Sequence, residues 1–157
     1  MRVRREPAVR LGGQDVGATA ESAAEQSRAG KLGFKPGQMV QEFGYDGDVD
    51  LDLRTQIEDL TGHELVDEDN QDVVDAVIFW WREEDGDLVD ALMDSLTNLA
   101  EGGVIWLFTP KAGRDGHVEP SEIEEAAPTA GLHATSTVSA CADWTGTRLA
   151  TPRGGRR

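Results

Sequence analysis

The chain has 157 residues, and its 30 Asp and Glu against 15 Lys and Arg give a formal net charge of −15. That length holds one domain with a real apolar core. The charge is concentrated in residues 36–150, which carry 26 acidic against five basic side chains; such a body repels nucleic-acid phosphates and anionic membranes over roughly 8 Å at physiological salt, which argues against a nucleic-acid or membrane surface and leaves a basic protein partner or a cation.

Residues 1–31 are rich in Ala, Gly, Ser, Glu, Gln and Arg with little apolar periodicity, and read as a disordered tail. Arg4-Arg5 has no apolar stretch behind it, so no export signal is read there. Order is expected from Leu32, with Phe34 docking and Pro36-Gly37 turning the chain. Residues 38–43 alternate in part and read as a first strand. Gly44-Tyr45-Asp46-Gly47 turns out of it. Residues 49–61 then place Val49, Leu53, Ile57 and Leu60 on one helical face, and Gly62 ends that helix. Residues 63–66 read as a short, polar strand at a sheet edge, followed by a solvated acidic loop over 67–72.

The clearest stretch is residues 72–111, which reads as strand, helix, strand. Residues 73–81 are too short to span a membrane and are rich in β-branched and aromatic side chains. An acidic patch over 82–87 ends this strand, and Asp85 or Asp87 can cap the next helix. There Leu88, Leu92, Leu96 and Leu99 recur at helical spacing, widened by Val89 and Met93, and Gly102-Gly103 is expected to stop the helix. Residues 104–108 form the next strand. Both strands are apolar nearly throughout, which suits a parallel sheet covered on both faces, joined by a right-handed crossover.

Residues 109–116 form an exposed loop. Ser121 and Glu124 have capping-box spacing, and Pro128 is expected to end or kink the helix near Ala127. Residues 133–140 and 147–151 read as two strands of an antiparallel hairpin. The expectation is therefore a three-layer α/β domain over residues 32–152, Rossmann-like, with a mainly parallel sheet, an antiparallel C-terminal hairpin and a basic tail at 153–157.

Open α/β sheets bind ligands beyond the carboxyl ends of their strands. The first such end is Glu42-Phe43-Gly44-Tyr45-Asp46-Gly47. Its glycines Gly44 and Gly47 allow a close ligand, but Asp46, Asp48, Asp50 and Asp52 at the helix start repel a pyrophosphate, which excludes a dinucleotide. An adenosyl ligand without phosphate suits this charge, and Asp67 or Glu68 stands where ribose hydroxyls would be held. The second end is Trp80-Trp81, where one indole packs in the core and the other is free to cover a ligand or partner. The third is Thr109-Pro110-Lys111. Asp46, Asp48 and Asp50 match the first three ligands of a calcium loop, but Leu51 replaces the glycine and Ile57 the final glutamate. His63, His117 and His133 lack metal-ligand spacing, and neither a phosphate-binding GKS/T loop nor a nucleophile elbow is present. The single cysteine, Cys141, rules out an internal disulfide, fits a reducing cytoplasm and reads as a small core residue.

The order of elements is similar to that of a shortened class I, Rossmann-like methyltransferase. The resemblance implies S-adenosylmethionine at the loop after the first strand, held by Glu42, Gly44, Gly47 and Asp67. Two of that family's marks are altered: the glycine set is incomplete, and Arg82-Glu83-Glu84-Asp85 stands where amino-methylating members carry Asp/Asn-Pro-Pro-aromatic. The chain is also short by about one strand–helix unit between Val66 and Val73. Leu32-Gly33-Phe34, Gly44-Tyr45-Asp46, Leu107-Phe108-Thr109-Pro110-Lys111, Gly113-Arg114-Asp115-Gly116 and Asp143-Trp144-Thr145-Gly146-Thr147-Arg148-Leu149, with others, resemble an actinobacterial family of small acidic proteins of unknown function. The combined expectation is a cytoplasmic, non-catalytic binding or regulatory module on a degenerate methyltransferase-like scaffold. Trp80, Trp81, Thr109 and Lys111 are its expected ligand or partner surface, and the acidic face its route to a protein partner. The alternatives are a working methyltransferase and an acidic charge mimic that binds a basic protein.

Overall fold

The computed structural model describes residues 27–151. The expected basic tail, and residues 1–26 of the expected disordered tail, lie outside them. The fold begins before Leu32: Ser27 caps α1 (Arg28–Lys31), and Ala29 is fully buried. Next come β1 (Val40–Phe43), α2 (Leu51–Thr61), β2 (Val74–Trp80), a 3-10 turn (Glu83–Asp85), α3 (Leu88–Ser95), β3 (Leu99–Pro110), α4 (Pro120–Thr129), β4 (His133–Ser139) and β5 (Trp144–Ala150).

The five strands lie in the order β1-β2-β3-β5-β4. β1, β2 and β3 are parallel neighbours, and β5 is antiparallel to both β3 and β4. β4 therefore runs with the parallel strands, and its hairpin partner is the inverted one. Phe43 lies beside Phe79, Phe79 beside Leu107, and Leu107 beside Thr147. The expected edge strand over 63–66 shrinks to one parallel bridge between Val66 and Gln41. Two backbone bonds make it, from Glu42 N to the Val66 carbonyl and from Val66 N to the Val40 carbonyl. Leu65 N is instead drawn to the Glu58 carboxylate of α2 at 2.9 Å, so no longer ladder forms.

Strand alternation divides the core between two faces. Ala76, Ile78 and Trp80 join Leu53 and Ile57 of α2 and the α1 region on one side. Val77, Phe79 and Trp81 join Leu88 and Leu92 of α3 and Ile123 and Ala127 of α4 on the other. Each fully buried Leu or Ile contributes roughly 1.5–3 kcal/mol.

Two expectations about local structure are corrected. α3 ends at Ser95, not at Gly102-Gly103. Ser95 Oγ donates to the Leu92 carbonyl, tightening the last turn, and the Asn98 carbonyl accepts Val74 N, which draws the chain into the sheet. Leu99 thus begins β3, and Met93 is exposed. The glycines serve a bulge. Val74 pairs with Leu99 while Ala76 pairs with Val104, so residues 100–103 loop out of register. Gly102 takes a φ of 81°, and a Cβ on Gly103 would lie 2.6 Å from Leu99 Cδ1. The second correction concerns α4. Its N-cap is Glu119 with Pro120 in the first turn, so Ser121 and Glu124 form no capping box. Pro128 is accommodated in the last turn, two residues from the cap Ala130. Among the described residues no helix is long and apolar enough to cross a membrane.

Candidate functional site

The carboxyl ends of β1, β2, β3 and β4 open toward one end of the sheet, and the loops there come from residues 44–50, 81–87, 111–119 and 140–143. Arg82 organises them. It follows β2 by two residues and is 8% exposed. Its Nε donates to Asp48 Oδ2 at 3.0 Å, and its Nη2 donates to Asp48 Oδ1. Its Nη1 donates to the Gly44 carbonyl at 2.9 Å, the Trp80 carbonyl at 3.0 Å and Asp85 Oδ2 at 3.3 Å. The guanidinium stands 5.3 Å from the Trp144 ring centre, and Trp144 Nε1 donates to the Asp48 carbonyl. One side chain thus ties together the loops after β1 and β2 and the start of β5. Burial works against its charge, but the hydrogen bonds it donates to Asp48 and Asp85 hold its pKa above the ordinary arginine value. The same hydrogen bond holds the Asp48 carboxyl below its ordinary value.

A cleft of about 470 Å³ lies beside this hub, between the end of β1 and the Val66 edge. Glu42, Tyr45, Arg54, Leu65, Asp67, Glu68 and Asp69 line it. Glu42 faces inward and is 6% exposed. Both of its oxygens accept from Arg54, at 2.7 and 2.8 Å, and Oε2 also accepts Trp80 Nε1 at 2.9 Å. The paired Glu42 raises the Arg54 pKa. The Arg54 guanidinium also lies 4.7 Å from the centre of the Tyr45 ring, whose side is exposed to solvent. Asp67 is exposed, and its Oδ1 accepts Asp69 N.

Of the residues expected to hold a cofactor, Glu42 and Asp67 share this cleft. Gly44 backs it: Gly44 N donates to Glu68 Oε2 at 3.0 Å. Gly47 does not line it, and Gly47 N donates to the side chain of Asp46. The expected surface of Trp80, Trp81, Thr109 and Lys111 does not assemble. Trp80 and Trp81 are 0% and 5% exposed, because strand alternation sends one into each core and each core is closed over it. Thr109 is buried and lines a different cavity. Lys111 donates from Nζ to Ser139 Oγ at 2.6 Å. The residues that sequence reasoning missed are Arg82, Arg54 and Tyr45. Arg82 carried one signal, a lone base at the end of an apolar strand. Among the described residues no group of three or more His, Cys, Asp or Glu side chains is placed to hold a metal ion.

Residues 29–153 match the family described as "Protein of unknown function (DUF3052)". An uncharacterized protein of Mycobacterium tuberculosis is 52% identical over 153 residues, covering 96% of this chain and 94% of the relative. Among solved structures, the fold is similar to magnesium protoporphyrin IX methyltransferase from Synechocystis PCC 6803 with bound SAM, at a TM-score of 0.53 and 10% identity over 94% of this chain and 87% of that one. It is also similar to a SAM dependent methyltransferase from Aquifex aeolicus, at a TM-score of 0.50 and 14% identity over 86% and 98%. At such identities the likeness is one of fold: a Rossmann-like, methyltransferase-type sheet.

Proposed function

The chain belongs to the DUF3052 family, and we propose that it is a non-catalytic binding module on a methyltransferase-type scaffold, taking a nucleoside ligand of the adenosyl class in the cleft between Tyr45 and Asp67. The observation that carries this reading is the engagement of Arg82. At the strand end where a reacting group would stand, its guanidinium is spent on Asp48, Asp85 and two backbone carbonyls.

The donor set of the cleft fits one part of S-adenosylmethionine. A carboxylate such as Asp67 accepts from ribose hydroxyls, and the exposed Tyr45 ring offers a face on which a base can stack. A carboxylate on the ligand finds no such welcome. Gly44 N and Gly47 N already donate to Glu68 and Asp46, and Arg54 is held by Glu42. The surrounding Glu42, Asp67, Glu68 and Asp69 favour a neutral or cationic ligand. The nucleoside end is therefore the part that fits, and no methyl transfer is assigned.

Thermal unfolding with adenosine, S-adenosylmethionine and S-adenosylhomocysteine, each at about 1 mM, tests this. A ligand at 100 times its Kd adds roughly 2.7 kcal/mol, a rise of several degrees for a domain of this size. The expected result is a rise in the wild type that Asp67→Ala removes, with no S-adenosylhomocysteine formed from S-adenosylmethionine. No rise with any of the three overturns the nucleoside reading.

A second reading rests on a separate observation. The loops at this end carry exposed carboxylates at Asp46, Asp67, Glu68, Asp69, Glu83, Glu84, Asp85 and Asp115, an arrangement that suits a basic protein partner. Such a complex, isolated by affinity capture, should weaken steeply between low salt and about 0.5 M, where the Debye length falls below roughly 5 Å; affinity indifferent to salt removes it.

A further inference from the structure

On the α4 side of the sheet, across from the Asp67 cleft, lies a cavity of about 170 Å³. Its floor is a patch of threonines placed by strand register. Thr109 of β3 stands opposite Thr145 of β5, and Thr147 of β5 stands opposite Thr137 of β4. All four line the cavity. Thr109 and Thr147 are 3% and 4% exposed, yet neither hydroxyl makes a hydrogen bond to another of the described residues. Both hydroxyls face the cavity and keep their hydrogen-bonding capacity free there, so an occupant of the cavity can supply the partner.

The opposite wall is apolar, from Val118 and Ile123. His117 borders it with its ring fixed, Nδ1 lying 2.9 Å from the Pro110 carbonyl. Glu124 supplies a carboxylate at the rim, and Glu119 stands 3.5 Å from His117 Nε2. An apolar cavity of roughly 150 Å³ admits one benzene ring. The size, the apolar wall and the hydroxyl floor together select a single ring with one hydrogen-bonding edge. The neighbouring carboxylates select against an anion.

We propose that this cavity is a binding site for a small, uncharged, phenol-type ring, its apolar body against Val118 and Ile123 and its polar edge on the hydroxyls of Thr109 and Thr147. It is separate from the nucleoside cleft and does not depend on it.

The test is a methyl-resolved NMR titration of the full chain with phenol, and with benzoate as an anionic ring of similar size. Phenol should shift the Ile123, Val118, Thr109 and Thr147 methyls saturably, with a Kd of about 1 mM, within reach of so few non-hydrogen atoms. Benzoate should leave them in place. Thr147→Val keeps the shape and removes one hydroxyl; it should weaken phenol about tenfold, the size of one lost hydrogen bond. Thr109→Val gives the same reading should Thr147→Val disturb the fold. Absence of saturable shifts at these methyls overturns the site. So do equal responses to benzoate and phenol, or phenol binding unchanged in both valine variants; these last would leave a nonspecific apolar contact or bound water as the occupant.

Discussion

Arg82 and Asp48 lie 34 residues apart in the chain and meet as a two-pronged pair, Nε and Nη2 of the guanidinium on the two oxygens of the carboxylate. The arginine is almost wholly buried, while the Asp48 side chain is 53% exposed. That asymmetry sets the first expectation. Arg82→Lys keeps the charge but loses the planar fork and the reach to the Gly44 and Trp80 carbonyls, and should cost about 2–3 kcal/mol. Asp48→Asn removes only the more exposed partner and should cost about 1 kcal/mol. Urea unfolding of both variants checks the order; an Asp48 variant less stable than the Arg82 variant contradicts it.

The same pair predicts an acid limb. The Arg82 hydrogen bond holds the Asp48 carboxyl below its ordinary value of 3.8. The stabilisation is therefore complete above that value and is lost as pH falls through the lower folded-state pKa. Melting temperatures taken from pH 6 down to about pH 2 should fall less steeply for Asp48→Asn than for the wild type. Parallel curves would show that the pair does not couple to protons.

Gly44 and Gly47 looked equivalent in the sequence, and the structure separates them. A Cβ on Gly44 would sit 2.1 Å from the Trp80 carbonyl oxygen, and its φ is 77°. Gly47 has open space around its Cα. Gly44→Ala should destabilise by at least about 3 kcal/mol or prevent folding, while Gly47→Ala should stay within roughly 0.5 kcal/mol. Soluble expression and urea midpoints of the two variants decide it.

Cys141 is 3% exposed, and burial, with Asp50 nearby, pushes its thiol from 9.0 up to about 11. A thiol-specific reagent at pH 7.5 should leave the native protein unlabelled and label it in urea. The raised value also fixes an alkaline direction: the stabilisation is present below the ordinary value and is lost as pH rises toward 11. Rapid labelling without denaturant would place Cys141 in an opening segment.

The parallel strand–helix–strand unit was legible because both strands carry long apolar runs, broken in the first only by Asp75, and Leu88 and Leu92 keep helical period. The limits of its helix were not. Leu96 and Leu99 continue that period, but the Asn98 carbonyl is taken by Val74 N and the chain leaves the helix to pair with β2. Glycines at 102 and 103 then serve a bulge, which looks the same as a helix stop in a single sequence. Glu42, Gly44 and Asp67 were legible through their distance from strand ends. Their engagement was not, since it depends on Arg54, Glu68 and Trp80 arriving from other elements. Alternation sends Trp80 and Trp81 to opposite faces, which leaves one of them for a surface; it does not reveal that a core closes over each of them.

The indoles of this protein are not shared evenly between its two cores. Trp80, Trp106 and Trp144 lie on the face that carries α2, and Trp81 alone lies on the other. Each of the three donates its N–H, to Glu42, to the Leu32 carbonyl and to the Asp48 carbonyl. Intrinsic fluorescence is accordingly a one-sided gauge. Loosening around Glu42 or Asp48 will move the emission of three indoles toward red, whereas opening of the α4 side moves that of Trp81 alone, so the size of the red shift tells which side of the sheet opens first.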